Sequence, residues 1–253
     1  MEAYFSLQLS VTDRCNLACR HCYRAEEIED APVERWFPVL QQFAAFTKEQ
    51  GRTGIVSFTG GEPLLVPEVG VLVRLVRVLG MHARMATNGT LLTPEMAQEL
   101  KQWGLQLLQV SLDGPDAPTH EAIRGEGAFQ AAIEGLHNAQ KAGISVNARV
   151  TLIPGVNLDR IPDFFELANR EGIPFLTFSR VIPIGSGDAF DGLDPEAQLA
   201  WMEEVATLSQ ASPFSKADLH EPTCDRCFLE DRPYRCGIGE SYLSIDADGT
   251  VYP

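Results

Sequence analysis

Short runs rich in β-branched and aromatic residues alternate along this chain with longer stretches whose apolar positions recur at helical spacing. That alternation predicts βα units, and repeated βα units predict a parallel sheet. Strands are expected at Tyr4–Val11, Gly54–Thr59, Met81–Thr87, Leu105–Leu112, Ser145–Leu152 and Phe175–Arg180. Helices are expected near Val33–Gln50, Pro67–Leu79, Pro94–Trp103, Phe129–Ala142, Asp159–Glu171 and Pro195–Gln210. Thr93-Pro94-Glu95 and Asp194-Pro195-Glu196 each set a capping side chain before a proline at the first helical position. Gly80, Gly104, Gly143 and Gly172 stand where a left-handed residue ends a helix. These strand–helix units are too few for a closed eight-fold barrel and match an open, partial (β/α)6 TIM-like one.

The helical periodicity stops near Ser212. Beyond it, Pro213-Phe214, Glu221-Pro222 and Arg232-Pro233 interrupt the chain around Cys224-x2-Cys227-x8-Cys236. Ser241–Ile245 and Thr250–Tyr252, joined by Asp246-Ala247-Asp248-Gly249, read as a hairpin around a glycine-containing turn. The expected organisation is a barrel over residues 1–212 followed by a smaller segment over 213–253.

Composition narrows the partners. A 45% hydrophobic content excludes general disorder, and 35 Asp+Glu against 20 Lys+Arg give a net charge of −15. Such a field repels phosphate backbones and anionic lipid, which argues against nucleic acid and membrane and leaves a basic peptide or an electron-donor protein open. The segment Met1–Leu7 lacks a secretory pattern, and no apolar run approaches the ~20 residues of a membrane span. The chain therefore reads as cytoplasmic, where six cysteines in two clusters argue for metal ligation over disulfides.

The chemistry gathers at strand ends. The cysteine motif, Thr59-Gly60-Gly61-Glu62, Thr87-Asn88-Gly89 and Ser111-Leu112-Asp113-Gly114 each follow the C-terminal end of an expected strand, the face where parallel barrels build active sites. Taken singly, Thr87-Asn88-Gly89 reads as a polar turn. Four thiolates would close an iron–sulfur cluster, whereas Cys15, Cys19 and Cys22 leave one iron with an open position. A zinc loop or unrelated free thiols are the alternatives. Ser111 and Asp113 lie two apart on a strand end, so they share a face and suit the hydroxyls of a ribose. Asn147 and Arg149 lie two apart on the fifth strand and face the barrel lumen, with a buried ion pair as the alternative.

The spacing Cys15-x3-Cys19-x2-Cys22, inside Thr12–Tyr23, resembles the radical S-adenosylmethionine (SAM) superfamily. Gly60-Gly61-Glu62-Pro63 resembles that superfamily's methionine-binding element: glycines admit the ligand closely, and Glu62 holds its ammonium. Ser111-Leu112-Asp113-Gly114-Pro115, with His120-Glu121 and Arg124-Gly125, resembles the peptide-modifying members, which implies Arg124 beside the SAM carboxylate. His21 is expected to pack or hydrogen-bond around the cluster without ligating it, and Tyr23 to lie near the SAM pocket.

Cys236-Gly237-Ile238-Gly239 and the following Asp248–Pro253 resemble the opening of a SPASM or twitch domain. Those domains open on a cysteine, then a glycine, then four residues before a second cysteine. Here twelve residues separate Cys236 from Gly249, and the chain ends four residues later at Pro253, so it is expected to stop inside that domain. Cys224, Cys227 and Cys236 would supply three ligands of an auxiliary cluster, or bind zinc with a fourth group.

The resemblance implies a [4Fe-4S] cluster, SAM as cosubstrate and an electron donor such as flavodoxin or ferredoxin. It implies reductive cleavage of SAM to a 5′-deoxyadenosyl radical that abstracts hydrogen from a peptide or protein side chain. Maturation of a tetrapyrrole in a haem pathway, a small-molecule substrate, is the alternative. A non-catalytic iron–sulfur carrier would have no need of Gly60-Gly61-Glu62 or of Ser111 and Asp113.

Overall fold

Along β5 (Ser145–Leu152), Val146, Ala148, Val150 and Leu152 are buried while Ser145, Asn147, Arg149 and Thr151 are not. The same period-two alternation runs through β1 (Tyr4–Ser10), β3 (His82–Thr87) and β4 (Leu107–Ser111). A sheet of such strands buries one face and leaves the other open. The computed structural model, which describes residues 4–24, 31–190, 192, 195–219 and 241–252, shows that sheet. Its remaining strands are β2 (Thr53–Thr59), β6 (Phe175–Arg180), β7 (Lys216–Leu219), β8 (Tyr242–Ile245) and β9 (Val251–Tyr252). The order is β7-β6-β5-β4-β3-β2-β1-β8-β9, parallel throughout except for the antiparallel β8–β9 pair.

The helices are α1 (Trp36–Glu49), α2 (Val69–Val78), α3 (Pro94–Trp103), α4 (Ala117–Arg124), α5 (Ala128–Lys141), α6 (Ile161–Arg170) and α7 (Pro195–Ala211). They cover the buried face. Phe178 of β6 is fully buried, with the rings of Phe164 and Phe165 of α6 each 6.0 Å from its own. Truncating such a residue to Ala costs about 3–5 kcal/mol. Thr93 caps α3 by accepting from the Met96 N–H, and Gly104 ends it at φ +96°. Among the described residues no helix is long and apolar enough to cross a membrane.

Three features differ from the expected elements. Met81 and Leu105 do not begin strands: their N–H groups donate to the carbonyls of Val76 and Leu100, closing α2 and α3 first. The short helix α4 was not expected. It is set up by Asp116, whose side chain accepts from Thr119 N–H, with proline in the first turn. The sheet also runs beyond six strands. β7 pairs with β6, and β8 lies parallel to β1 with Ser6 opposite Tyr242, so chain beyond residue 212 joins the barrel's own sheet. The hairpin β8–β9 turns at Asp246–Gly249, where Gly249 has φ +91°.

Candidate cluster-binding and active site

The loop after β1 carries Cys15, Cys19 and Cys22, all unpaired thiols. Four backbone hydrogen bonds shared with neighbouring loops and α4 hold it in place. Gly61 and Glu62, after β2, donate to the carbonyls of Thr12 at 2.8 Å and Arg14 at 2.9 Å. Arg20 donates to Ile123 of α4 at 2.9 Å, and Ser186, after β6, donates to Cys22 at 2.9 Å. The loop's exit is clamped by Arg24, which ion-pairs with Asp13, donates to Ser10 Oγ and reaches Asp246 of the β8–β9 turn at 3.5 Å.

The glycine pair is required by this packing. A Cβ on Gly60 would stand 2.1 Å from the Thr12 carbonyl oxygen, and one on Gly61 would stand 2.2 Å from that of Arg14. The close approach expected toward a ligand is therefore made, in the chain itself, toward the cysteine loop. Glu62 is fully buried. Its Oε1 accepts from Leu64 N–H and Thr87 Oγ1, and its Oε2 from Asn88 N–H. Burial still pushes this carboxyl above its ordinary value despite those donors. The carboxylate expected to hold an ammonium is thus already committed to tying β2's loop to β3's. Pro63 follows it, buried, in the short turn Pro63–Leu65 that Glu62 caps.

Thr87-Asn88-Gly89, a polar turn when read alone, belongs to the site. Asn88 Nδ2 points at Cys15 Sγ from 3.9 Å and donates to Asn16 Oδ1 at 2.9 Å. The signal that would have found it is its position after β3, on the rim shared with the other motifs.

Asp113, an expected SAM contact, is heavily bonded within the chain. Its side chain is fully buried and every oxygen is taken. Oδ1 accepts from Thr151 N–H at 2.7 Å, while Oδ2 meets Arg124 Nε at 2.5 Å and His21 Nε2 at 3.2 Å. Burial opposes its charge, but Arg124 and His21 hold the carboxyl far below the usual range. The ribose acceptor and the carboxylate receptor expected separately are here paired to each other. Arg124 also points Nη1 at Cys19 Sγ from 3.8 Å. His21, between two of the cysteines, hydrogen-bonds to this hub. His120 Nδ1 accepts from Asp113 N–H, and burial pushes that imidazole down to about 4, so it stays neutral.

The three sulfurs fit a cluster. Burial raises the Cys15 thiol and pushes Cys19 up to about 11, and each feels the charge of its neighbours. Leu17 N–H at 3.5 Å and Asn88 address Cys15, and Arg124 addresses Cys19, which favours the thiolate a metal requires. Among the described residues no three His, Cys, Asp or Glu lie close enough to ligate a single ion. A cluster asks less, because each thiolate binds a different iron.

A protein-family model described as "Radical SAM superfamily" matches residues 9–168. The chain belongs to the radical SAM superfamily. Its relatives include an Fe-coproporphyrin III synthase of Methanosarcina barkeri, 39% identical over 183 residues that cover 70% of this chain and 44% of the relative. A mycofactocin maturase MftC of Mycolicibacterium smegmatis is 32% identical over 78% of this chain and 50% of its own. Streptococcus suis SuiB, solved with its precursor peptide SuiA, superposes with TM-score 0.79 over 100% of this chain and 60% of that one, at 16% identity, a likeness of fold. The chain spans about half the length of the curated relatives it matches. Members of this family use a [4Fe-4S] cluster and SAM, and neighbours such as SuiB have been solved with SAM bound.

Of the remaining expected radical SAM contacts, Ser111 ends β4 level with Arg149 of β5, and Gln109 is level with Asn147. Ser111, Asn147 and Arg149 are half-buried on the open face. Cys224, Cys227 and Cys236 lie outside the described residues.

Proposed function

We propose that this chain is the SAM-cleaving part of a radical SAM enzyme whose substrate is a carboxylate-bearing tetrapyrrole. The observation that carries the cleavage chemistry is the trio Cys15, Cys19 and Cys22 on one rim loop, with polar donors aimed at two of the sulfurs. When bound, the cluster supplies the electron that splits SAM into methionine and a 5′-deoxyadenosyl radical, which takes a hydrogen atom from the substrate. The chain's own residues position and enclose. Arg124, held by Asp113, stabilises the Cys19 thiolate, and Asn88 does the same for Cys15. Ser111, Asn147 and Arg149 face the open side below that rim, where they are placed to hold SAM and substrate. A flavodoxin- or ferredoxin-type donor would deliver the electron.

Two considerations favour the tetrapyrrole. The relatives at 39% and 35% identity are named Fe-coproporphyrin III synthase and AdoMet-dependent heme synthase, against 32% for MftC. The open face of strands β1–β6 also carries arginines and no acids, which suits an anionic substrate better than the basic peptide that a net charge of −15 suggested. Peptide modification is the second reading, favoured by the SuiB fold and the MftC relatives. The test is anaerobic reconstitution followed by reduction with SAM. Formation of 5′-deoxyadenosine, stimulated by iron–coproporphyrin III, is the expected result; no cleavage in protein loaded with the cluster would refute it.

A further inference from the structure

The six strands β1–β6 contain no Asp or Glu, although the chain has 35 such residues. Their only charged residues, histidines aside, are Arg84, Arg149 and Arg180. Arg180 alternates in phase with the buried Leu176 and Phe178, so it lies on the helix side, where it donates to Gln198 of α7. Arg84 and Arg149 alternate out of phase with buried Ala83, Met85, Ala148 and Val150, which sets both on the open face. Among the described residues neither has a carboxylate within ion-pair distance. Asp113, the acid whose charge Arg149 feels, is committed to Arg124 and His21.

Arg149 is half-buried and within electrostatic reach of Tyr23 and of Tyr242 of β8. Partial burial of an uncompensated guanidinium is unfavourable, and an anion bound beside it relieves that cost. Arg84 is exposed on the same face, nearer the opposite end of the strands. It is level with Ser145 through Leu107, and Arg149 is four residues further along. That separation is ~13 Å along the strands and ~10 Å across two strand spacings, roughly 16 Å between backbones. One carboxylate cannot sit on both cations.

We propose that the open face receives a substrate carrying at least two separated carboxylates, one held by Arg149 beside Tyr242 and another by Arg84. This rests on the tetrapyrrole reading above and names the groups that would recognise it. The whole-chain charge of −15 conceals the feature, because the acids lie outside strands β1–β6, Asp218 of β7 among them.

The experiment titrates the cluster-loaded full chain with iron–coproporphyrin III, a tetracarboxylate, and with its tetramethyl ester, following the porphyrin absorbance. The acid form should bind, and Arg149→Gln and Arg84→Gln should each weaken it by about tenfold, with the ester weak and indifferent to both. Circular dichroism and melting of each variant separate this loss from misfolding, and SAM binding is measured in the same samples. If acid and ester bind alike and neither variant matters, the arginine assignment fails while the tetrapyrrole reading stands. If neither form binds to protein that still cleaves SAM, the tetrapyrrole reading fails and this inference with it. Arg149→Gln weakening SAM alone, or arginine-dependent binding of an acidic peptide in place of the porphyrin, would also overturn it.

Discussion

Replacing Asp113 by Ala separates two accounts of the rim. Its side chain is fully buried and that of Arg124 is 11% exposed, so the substitution leaves a guanidinium almost wholly inside the protein without its counter-charge. Removing one partner of such a pair costs about 3–5 kcal/mol. The Thr151 N–H loses its acceptor as well, and His21, between Cys19 and Cys22, loses its anchor. For a chain of this size the loss corresponds to a fall in Tm of roughly 6–20 °C. Asp113→Asn keeps an oxygen for Thr151 but sets an amide donor against Arg124 and His21, so it should also lose stability while sparing the Thr151 bond that Asp113→Ala removes. The assay is thermal and urea unfolding at pH 7, with iron content after reconstitution measured on the same samples. Both stability and iron uptake should drop in Asp113→Ala. If stability changes by less than about 1 kcal/mol while SAM affinity alone falls, Asp113 contacts the cosubstrate and the hub described above is wrong.

Changing Cys15, Cys19 and Cys22 together to Ala should lower iron uptake by about four irons per chain and abolish 5′-deoxyadenosine formation; unchanged iron content would contradict the ligand assignment. Gly61→Ala drives a methyl to 2.2 Å from the Arg14 carbonyl, so it should destabilise the fold and displace the cysteine loop, read as lower Tm and faster alkylation of the thiols. Glu62→Gln keeps one acceptor oxygen but sets an amide donor at the other, against Asn88 N–H or against Leu64 and Thr87, a loss of about 1–3 kcal/mol by unfolding, and an unchanged Tm would refute the three-donor network. His120 should make stability pH-dependent: with its pKa at about 4 in the fold and ~6.5 unfolded, the unfolded chain gains a proton first as pH drops. Stability is therefore full above pH ~6.5 and lost as pH falls toward 4, by roughly 2–3 kcal/mol near pH 4.5, and a His120→Gln variant should show a flatter profile over that range.

What the sequence determined by itself was local. Period-two and helical periodicities located the first six strands and all the longer helices, because each element buries one face of its own and needs no distant information to show it. Cap residues such as Thr93 and the terminal Gly104 marked α3 for the same reason. The cysteine motif was legible because Cys15, Cys19 and Cys22 lie within eight residues of chain. That polar motifs converge on one rim also followed, since parallel strands point their C-terminal ends the same way.

Only the tertiary structure decided how those motifs divide the work. Asp113 and Arg124 suited SAM one at a time, and their mutual pairing depends on α4 turning back over the strand end, a helix too short to announce itself by periodicity. Glu62 and Thr87-Asn88-Gly89 meet because β2 and β3 are neighbours in register. That Tyr242 comes within electrostatic reach of Arg149 needs β8 to add beside β1, a pairing of segments separated by most of the chain. Sequence patterning records which face of an element is apolar. It does not record which buried charge will find which partner, because that is settled by register, curl and the cost of leaving any charge in the interior unpaired.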